Sequence, residues 1–122
     1  MEIKEMVKLT NGLLTEKYTT VWHEKDYRLD APSIFEVRKV EDGTTLATIR
    51  FQEGPIKLVG VNGVNNEDLI HMVIRRLEGF QEWDHQCREN AHAITKLEEA
   101  LLWLRKRTMD REMRGVEGTN KV

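Results

Sequence analysis

Between Arg105 and Arg114 the chain places five cations, Arg105, Lys106, Arg107, Arg111 and Arg114, against two anions, Asp110 and Glu112. Arg107 and Arg111 are four apart, so on a helix they share a face, and Arg114 follows three positions later. Planar guanidinium forks suit bidentate grip on phosphate. The same cations would also complement the negative end of a helix dipole, and the pattern alone leaves both readings open. Phe80 and Trp83 could offer a stacking face to a base, although Phe80 also continues an apolar stripe and could be core. Asn90 interrupts a second apolar stripe. Such an Asn either sets pairing register or hydrogen-bonds a ligand.

Signals for catalysis are poor. His85, Cys87 and His92 lack a fourth partner and the spacing of a zinc site. The sequence has no Gly-rich phosphate loop, no nucleophile elbow and no motif pair of carboxylates. The expectation is a protein with no catalytic residue, no metal and no cofactor.

Something must position these side chains. The 122 residues are enough for one ordinary domain, and 39% hydrophobic with 33% charged content keeps the chain clear of disorder. Nineteen basic against 21 acidic residues give a net charge of −2, which argues against duplex nucleic acid as the main partner. One cysteine, Cys87, excludes an internal disulfide and suits a reducing cytoplasm. The longest apolar run, Ala100 to Leu104, is far too short to span a bilayer, and Met1 to Glu5 carry no signal-peptide core. A cytoplasmic chain without membrane contact is expected.

The sequence changes period near Asn65. Before it, alternating or β-branched runs at 18–23, 34–40, 44–51 and 56–61 are separated by short turns, with a further strand over 2–9 ahead of Asn11-Gly12. Spacing of this kind means antiparallel hairpins, four or five strands in all. After it, Leu69, Val73, Leu77 and Phe80 mark a helix over 66–83, with Glu67 and Asp68 at its start. A second helix runs over 87–113 on the stripe Cys87, Asn90, Ile94, Leu97, Leu101 and Leu104. The fold class is therefore α+β, a small antiparallel sheet followed by a long αα-hairpin. The chain reads as a single domain, with a β part over 1–64, a hairpin over 65–122 and a loose tail over 115–122. The second helix outruns the first by about two turns, and a long apolar-striped arm usually finds cover in another subunit. Homo-oligomerisation is expected.

Two stretches, FQEGPIKLVGVNGVNNEDL from Phe51 to Leu69 and CRENAHAITKLEEALLWLRKRTMDREMRGVEGT from Cys87 to Thr119, carry a resemblance. Together they resemble the phage Thoeris anti-defence family of nucleotide sponges, whose helical hairpin is shared with phage anti-CBASS sponges. The resemblance implies a non-enzymatic protein that captures cyclic ADP-ribose isomers made by TIR-domain proteins in an infected bacterial cell. A separate site for cyclic di- or trinucleotides, and assembly into dimers or hexamers, are also implied. The family's ligand residues map onto Phe80, Asn90, Arg107 and Arg111, with Thr108, Asp110 and Arg114 as neighbours. In that reading Phe80 stacks the adenine, Asn90 reads a ribose hydroxyl or base edge, and the two arginines neutralise the pyrophosphate.

Helix geometry adds a constraint. Asn90 and Arg107 are 17 residues apart on one helix, about 26 Å along its axis, and Arg111 is about 32 Å away. A ligand of roughly 10–12 Å cannot span that by ordinary covalent dimensions. If the four residues form one site, two protomers with antiparallel long helices must share it. Three functions follow from the sequence: a sequestering sponge for cyclic ADP-ribose or for CBASS cyclic nucleotides, an enzyme degrading the same signals, and an oligomeric interaction module.

Overall fold

The computed structural model describes residues 4–122. Four strands come first, β1 (Met6–Leu9), β2 (Thr19–Glu24), β3 (Ile34–Lys39) and β4 (Thr45–Arg50). They form one sheet in the order β1-β2-β3-β4, every neighbouring pair antiparallel. Of the strand expected over 2–9, Glu2 and Ile3 lie outside the described residues, and the ladder begins at Met6. Asn11 opens the β1–β2 connection as an Asx turn, its side-chain oxygen accepting from the Leu13 amide at 2.8 Å.

Register sorts the side chains onto two faces. Val7, His23, Phe35 and Ile49 pair in sequence across the sheet, beside Leu9, Val21, Val37 and Ala47. Phe35 meets His23 at 5.8 Å and Phe51 edge-on at 5.4 Å between ring centres. On the opposite face the Arg38 guanidinium lies 4.3 Å from the Trp22 ring centre and donates to Glu36 at 3.0 Å. Glu24, 2% exposed, ends β2 with a carboxylate that accepts from the amides of Ser33 (3.2 Å) and Ile34 (2.9 Å). That buried charge fixes the start of β3, because amide hydrogen bonds to a carboxylate are about twice as strong as neutral ones. At the β3–β4 turn, hydrogen bonds from the Thr44 side chain and amide hold the Asp42 carboxyl below its ordinary range.

The fifth strand expected over 56–61 is not formed. Ile56–Val59 is instead a single helical turn, α1. Pro55, at φ −66°, starts it, and Gly60 at φ +79° stops it, while Gly54 at φ +91° turns the chain before it. Two carboxamides then do the work a ladder would have done. Gln52 donates to the Gly54 and Gly60 carbonyls and accepts from the Asn62 amide, and Asn62 is bonded to both the amide and the carbonyl of Glu53. Gly63 closes the loop against Phe51. A Cβ there would sit 2.5 Å from the Phe51 carbonyl, so only glycine fits.

Two helices follow, α2 (Asn66–Glu82) and α3 (Arg88–Met113), within one residue of both expected spans at every end. Asn65 caps α2, and its amide donates to Asp68 at 2.8 Å, the reciprocal half of a capping box. The inner face of α2 centres on Ile74, 7% exposed, rather than on Val73, which is 46% exposed. Leu69, Ile70, Leu77, Phe80 and Gln81 are half-buried around it, so of the expected stripe only Val73 is exposed. Gln81 ties the turn, donating to the Cys87 carbonyl and accepting from the Cys87 amide. The Cys87 sulfur caps α3 by accepting from the Asn90 amide at 3.4 Å.

On α3, Asn90, Ile94, Leu97, Leu101 and Leu104 are the half-buried face, and no residue of the helix is fully buried. At 26 residues against 17, α3 is about 39 Å long and α2 about 26 Å, so the last turns of α3 extend past α2. The chain divides into two units, Met1–Val64 and Asn65–Val122. Its accessible surface is 9840 Å². Two separate compact globules of half this mass would together expose only about 8,200 Å². The excess does not depend on how the units are placed, and it follows from how few side chains either unit buries.

Candidate functional site

The residues singled out for ligand binding fall into two groups at opposite ends of α3. At the hairpin turn, Phe80 ends the inner face of α2 and Asn90 sits in the first turn of α3. Both are half-buried. The Arg76 guanidinium, one turn earlier on α2, lies 5.0 Å from the Phe80 ring centre, and His85 meets the ring edge-on at 6.3 Å. Phe80 is therefore neither a core residue nor a free platform. One face of its ring carries the Arg76 cation, and His85 meets its edge. Trp83, the second aromatic candidate, is 72% exposed at the end of α2. Trp103 is also exposed at 63%, with the Lys106 ammonium 5.3 Å from its ring centre.

At the far end, α3 carries Arg107, Thr108, Asp110, Arg111 and, at its C-cap, Arg114. Thr108 is half-buried and its hydroxyl donates back to the Leu104 carbonyl at 3.1 Å, which fixes its rotamer. The two local carboxylates are both committed. Asp110 accepts from Arg114 at 3.0 Å, and Glu112 pairs with Arg105 at 3.6 Å. Lys106, Arg107 and Arg111 are left without a carboxylate partner among the described residues. Arg107 is exposed. Arg111 is half-buried and donates through Nη2 to three tail carbonyls, those of Val116 (3.1 Å), Thr119 (3.2 Å) and Lys121 (2.8 Å). Neutral carbonyls orient a guanidinium without cancelling its charge. Where a loose tail was expected over 115–122, the backbone is gathered onto Arg111, and Arg114 Nη1 holds the Val122 oxygen at 2.7 Å.

One chain does not bring the two groups together. Asn90 and Arg107 are 17 positions apart within the unbroken helix α3, so about 26 Å of helix separates them. A cavity of about 170 Å³ lies in the β1–β2 connection, lined by Leu14 to Val21, and contains none of these residues. Among the described residues no cluster of His, Cys, Asp and Glu could hold a metal ion, and no helix is long and apolar enough to cross a membrane.

Two features escaped the sequence reading. Arg76 stands four residues before Phe80, a spacing at which helix neighbours meet, so its contact with the ring was legible in principle. The tail carbonyls on Arg111 leave no side-chain signal in the sequence.

Comparison with known proteins agrees with the hairpin pattern and extends it. A family model described as Acb2/Tad1, hairpin domain, matches residues 44–109. The chain is also 45% identical over 141 aligned positions to Thoeris anti-defense 1 of Bacillus phage SBSphiJ7, an alignment covering 95% of this chain and 99% of that protein. The resemblance seen from Phe51 onward thus reaches through the sheet as well. The chain belongs to the Acb2/Tad1 hairpin family of phage anti-defence proteins.

Proposed function

We propose that this protein captures a cyclic ADP-ribose-type signal and holds it without cleaving it, so that a downstream immune effector in the infected cell is not activated. The observation that carries the reading is the end of α3, where Arg107 and Arg111 have no carboxylate partner among the described residues because Asp110 pairs with Arg114 and Glu112 with Arg105. Charge-assisted bonds from two such arginines suit a pyrophosphate. The Phe80 ring suits stacking on an adenine, and Asn90 suits a ribose hydroxyl or base edge. The relative's name, Thoeris anti-defense 1, supports the same direction.

The absence of turnover has a chemical basis in this reading. A hydrolase needs a general base or nucleophile within reach of the scissile bond. The two carboxylates beside the arginines, Asp110 and Glu112, are engaged in ion pairs with Arg114 and Arg105.

The site is completed by a second copy. Two protomers with α3 antiparallel place Phe80 and Asn90 of one chain beside Arg107 and Arg111 of its partner, and a two-fold pair holds two such sites. The excess accessible surface and the exposed Leu102, Trp103 and Met109 on α3 support a partner along this helix.

A calorimetric panel of cyclic ADP-ribose isomers, cyclic dinucleotides and cyclic trinucleotides tests the ligand class. The expected result is tight, stoichiometric binding of a cyclic ADP-ribose isomer, with the ligand recovered chemically intact after heating the complex. Recovery of a cleaved product would make the protein an enzyme. Binding of cyclic oligonucleotides alone would transfer the function to CBASS signals. No binding at all would leave an oligomeric interaction module.

A further inference from the structure

Arg105 and Arg114 are paired with carboxylates, whereas Arg111 is the arginine of the cluster held by backbone carbonyls alone. Its Nη2 carries two hydrogens, and three carbonyl oxygens converge on it. Every bidentate arrangement of a guanidinium on an oxyanion uses two adjacent nitrogens. Side-on, these are Nε and one Nη, and end-on they are the two Nη atoms. With Nη2 saturated, Arg111 has no complete fork to offer while the tail is docked.

The tail is shaped for that contact. Gly115 at φ +73° and Gly118 at φ +74° reverse the chain after α3, a conformation that other residues rarely adopt. The Thr119 hydroxyl donates to the Val116 carbonyl and accepts from the Lys121 amide, so one side chain gathers the carbonyls that face Arg111. Three oxygens around one corner of a guanidinium is also what a phosphate group presents. The carbonyls bring partial charge, whereas a phosphate brings full charge, and the charged partner makes the stronger bond.

We infer that residues 117–122 are an internal occupant of the Arg111 anion site, displaced when phosphate groups bind there. The inference rests on the proposal that this end of α3 receives a diphosphate. It deepens that proposal by giving the site a resting state in which Arg111 is held in place and partly masked. Apparent affinity is then reduced by the fraction of molecules whose tail is docked.

The test uses inorganic pyrophosphate as probe, in calorimetry at low salt. A chain ending at Val116 as a C-terminal amide places no terminal carboxylate on Arg111 and keeps the helix-capping bonds from the Gly115 amide to Glu112 and from the Val116 amide to Arg111. It loses the Thr119 and Lys121 carbonyls. Thr119→Val in the full chain loosens the tail without shortening it, and circular dichroism confirms that both variants keep their helices. Both are expected to bind pyrophosphate roughly three- to tenfold more tightly than the parent, the range set by one or two hydrogen bonds. In the parent, pyrophosphate is expected to speed amide hydrogen exchange at Thr119 and Lys121. Equal or weaker binding by the shortened chain, or no pyrophosphate binding by either form, would overturn the inference. A failed cyclic ADP-ribose panel beside a retained gain in pyrophosphate binding would overturn the proposed ligand and leave the role of the tail standing.

Discussion

Arg107 and Arg111 sit on the same face of α3 but in different states, one exposed and unpaired, the other held by the tail. Replacing Arg107 with Ala should weaken binding of the cyclic ADP-ribose ligand by about tenfold or more, since a charged hydrogen bond contributes about 1.5–3 kcal/mol. The weakening should shrink as salt is raised, because the contact is electrostatic. Phe80→Ala should cost a comparable ~1–3 kcal/mol through lost stacking, but with little salt dependence. Calorimetry at two salt concentrations separates the two roles. If both variants lost affinity with the same salt slope, the assignment of charge to one end and stacking to the other would be wrong. At the same scale, Glu24 does structural work. Glu24→Ala should orphan the Ser33 and Ile34 amides that its carboxylate satisfies and lower stability by about 2 kcal/mol, visible as a fall in Tm.

Among the elements, the segment between β4 and α2 shows best what sequence pattern can and cannot carry. The strands and the two long helices were legible because their periods differ and their ends are marked by Asp42-Gly43, Asn65 and Cys87. Ile56 to Val61 also reads as a strand by composition, yet strand pairing is a tertiary matter. Pro55 and Gly60 confine the segment to one helical turn, and the Gln52 and Asn62 carboxamides satisfy the backbone groups that a ladder would have served. The burial of Ile74 in place of Val73 at the centre of the α2 face has a similar origin, since two adjacent apolar positions both fit a helical face until packing selects one. Within the candidate site, residue types and chain positions were readable. What the tail does to Arg111 was not, because backbone carbonyls have no sequence signature. The loop makes its own test: Gly63→Ala should force its Cβ into the Phe51 carbonyl 2.5 Å away and lower the urea midpoint, with an expected loss of about 1–3 kcal/mol. An unchanged midpoint would show that the loop yields without cost.

For the whole molecule, the decisive quantity is a length. A single α3 holds its two groups of candidate residues about 26 Å apart, and the surface left exposed exceeds what even two separate globules would show. Both facts support the proposed second copy. Sedimentation at micromolar concentration should accordingly return a dimer or a larger even assembly. Leu102→Asp together with Trp103→Asp, on the exposed face of α3, should shift it toward monomer and abolish ligand binding together. The most direct measurement is complementation between two defective chains. Arg107→Ala and Phe80→Ala proteins, each weakened about tenfold or more towards the cyclic ADP-ribose ligand, are mixed, allowed to exchange subunits and titrated by calorimetry for a return of the parent affinity. The expected result is recovered binding at about one site per mixed dimer, because one of its two sites draws Phe80 and Arg107 from the intact halves. Subunit exchange without any recovery of binding would contradict a site shared between protomers.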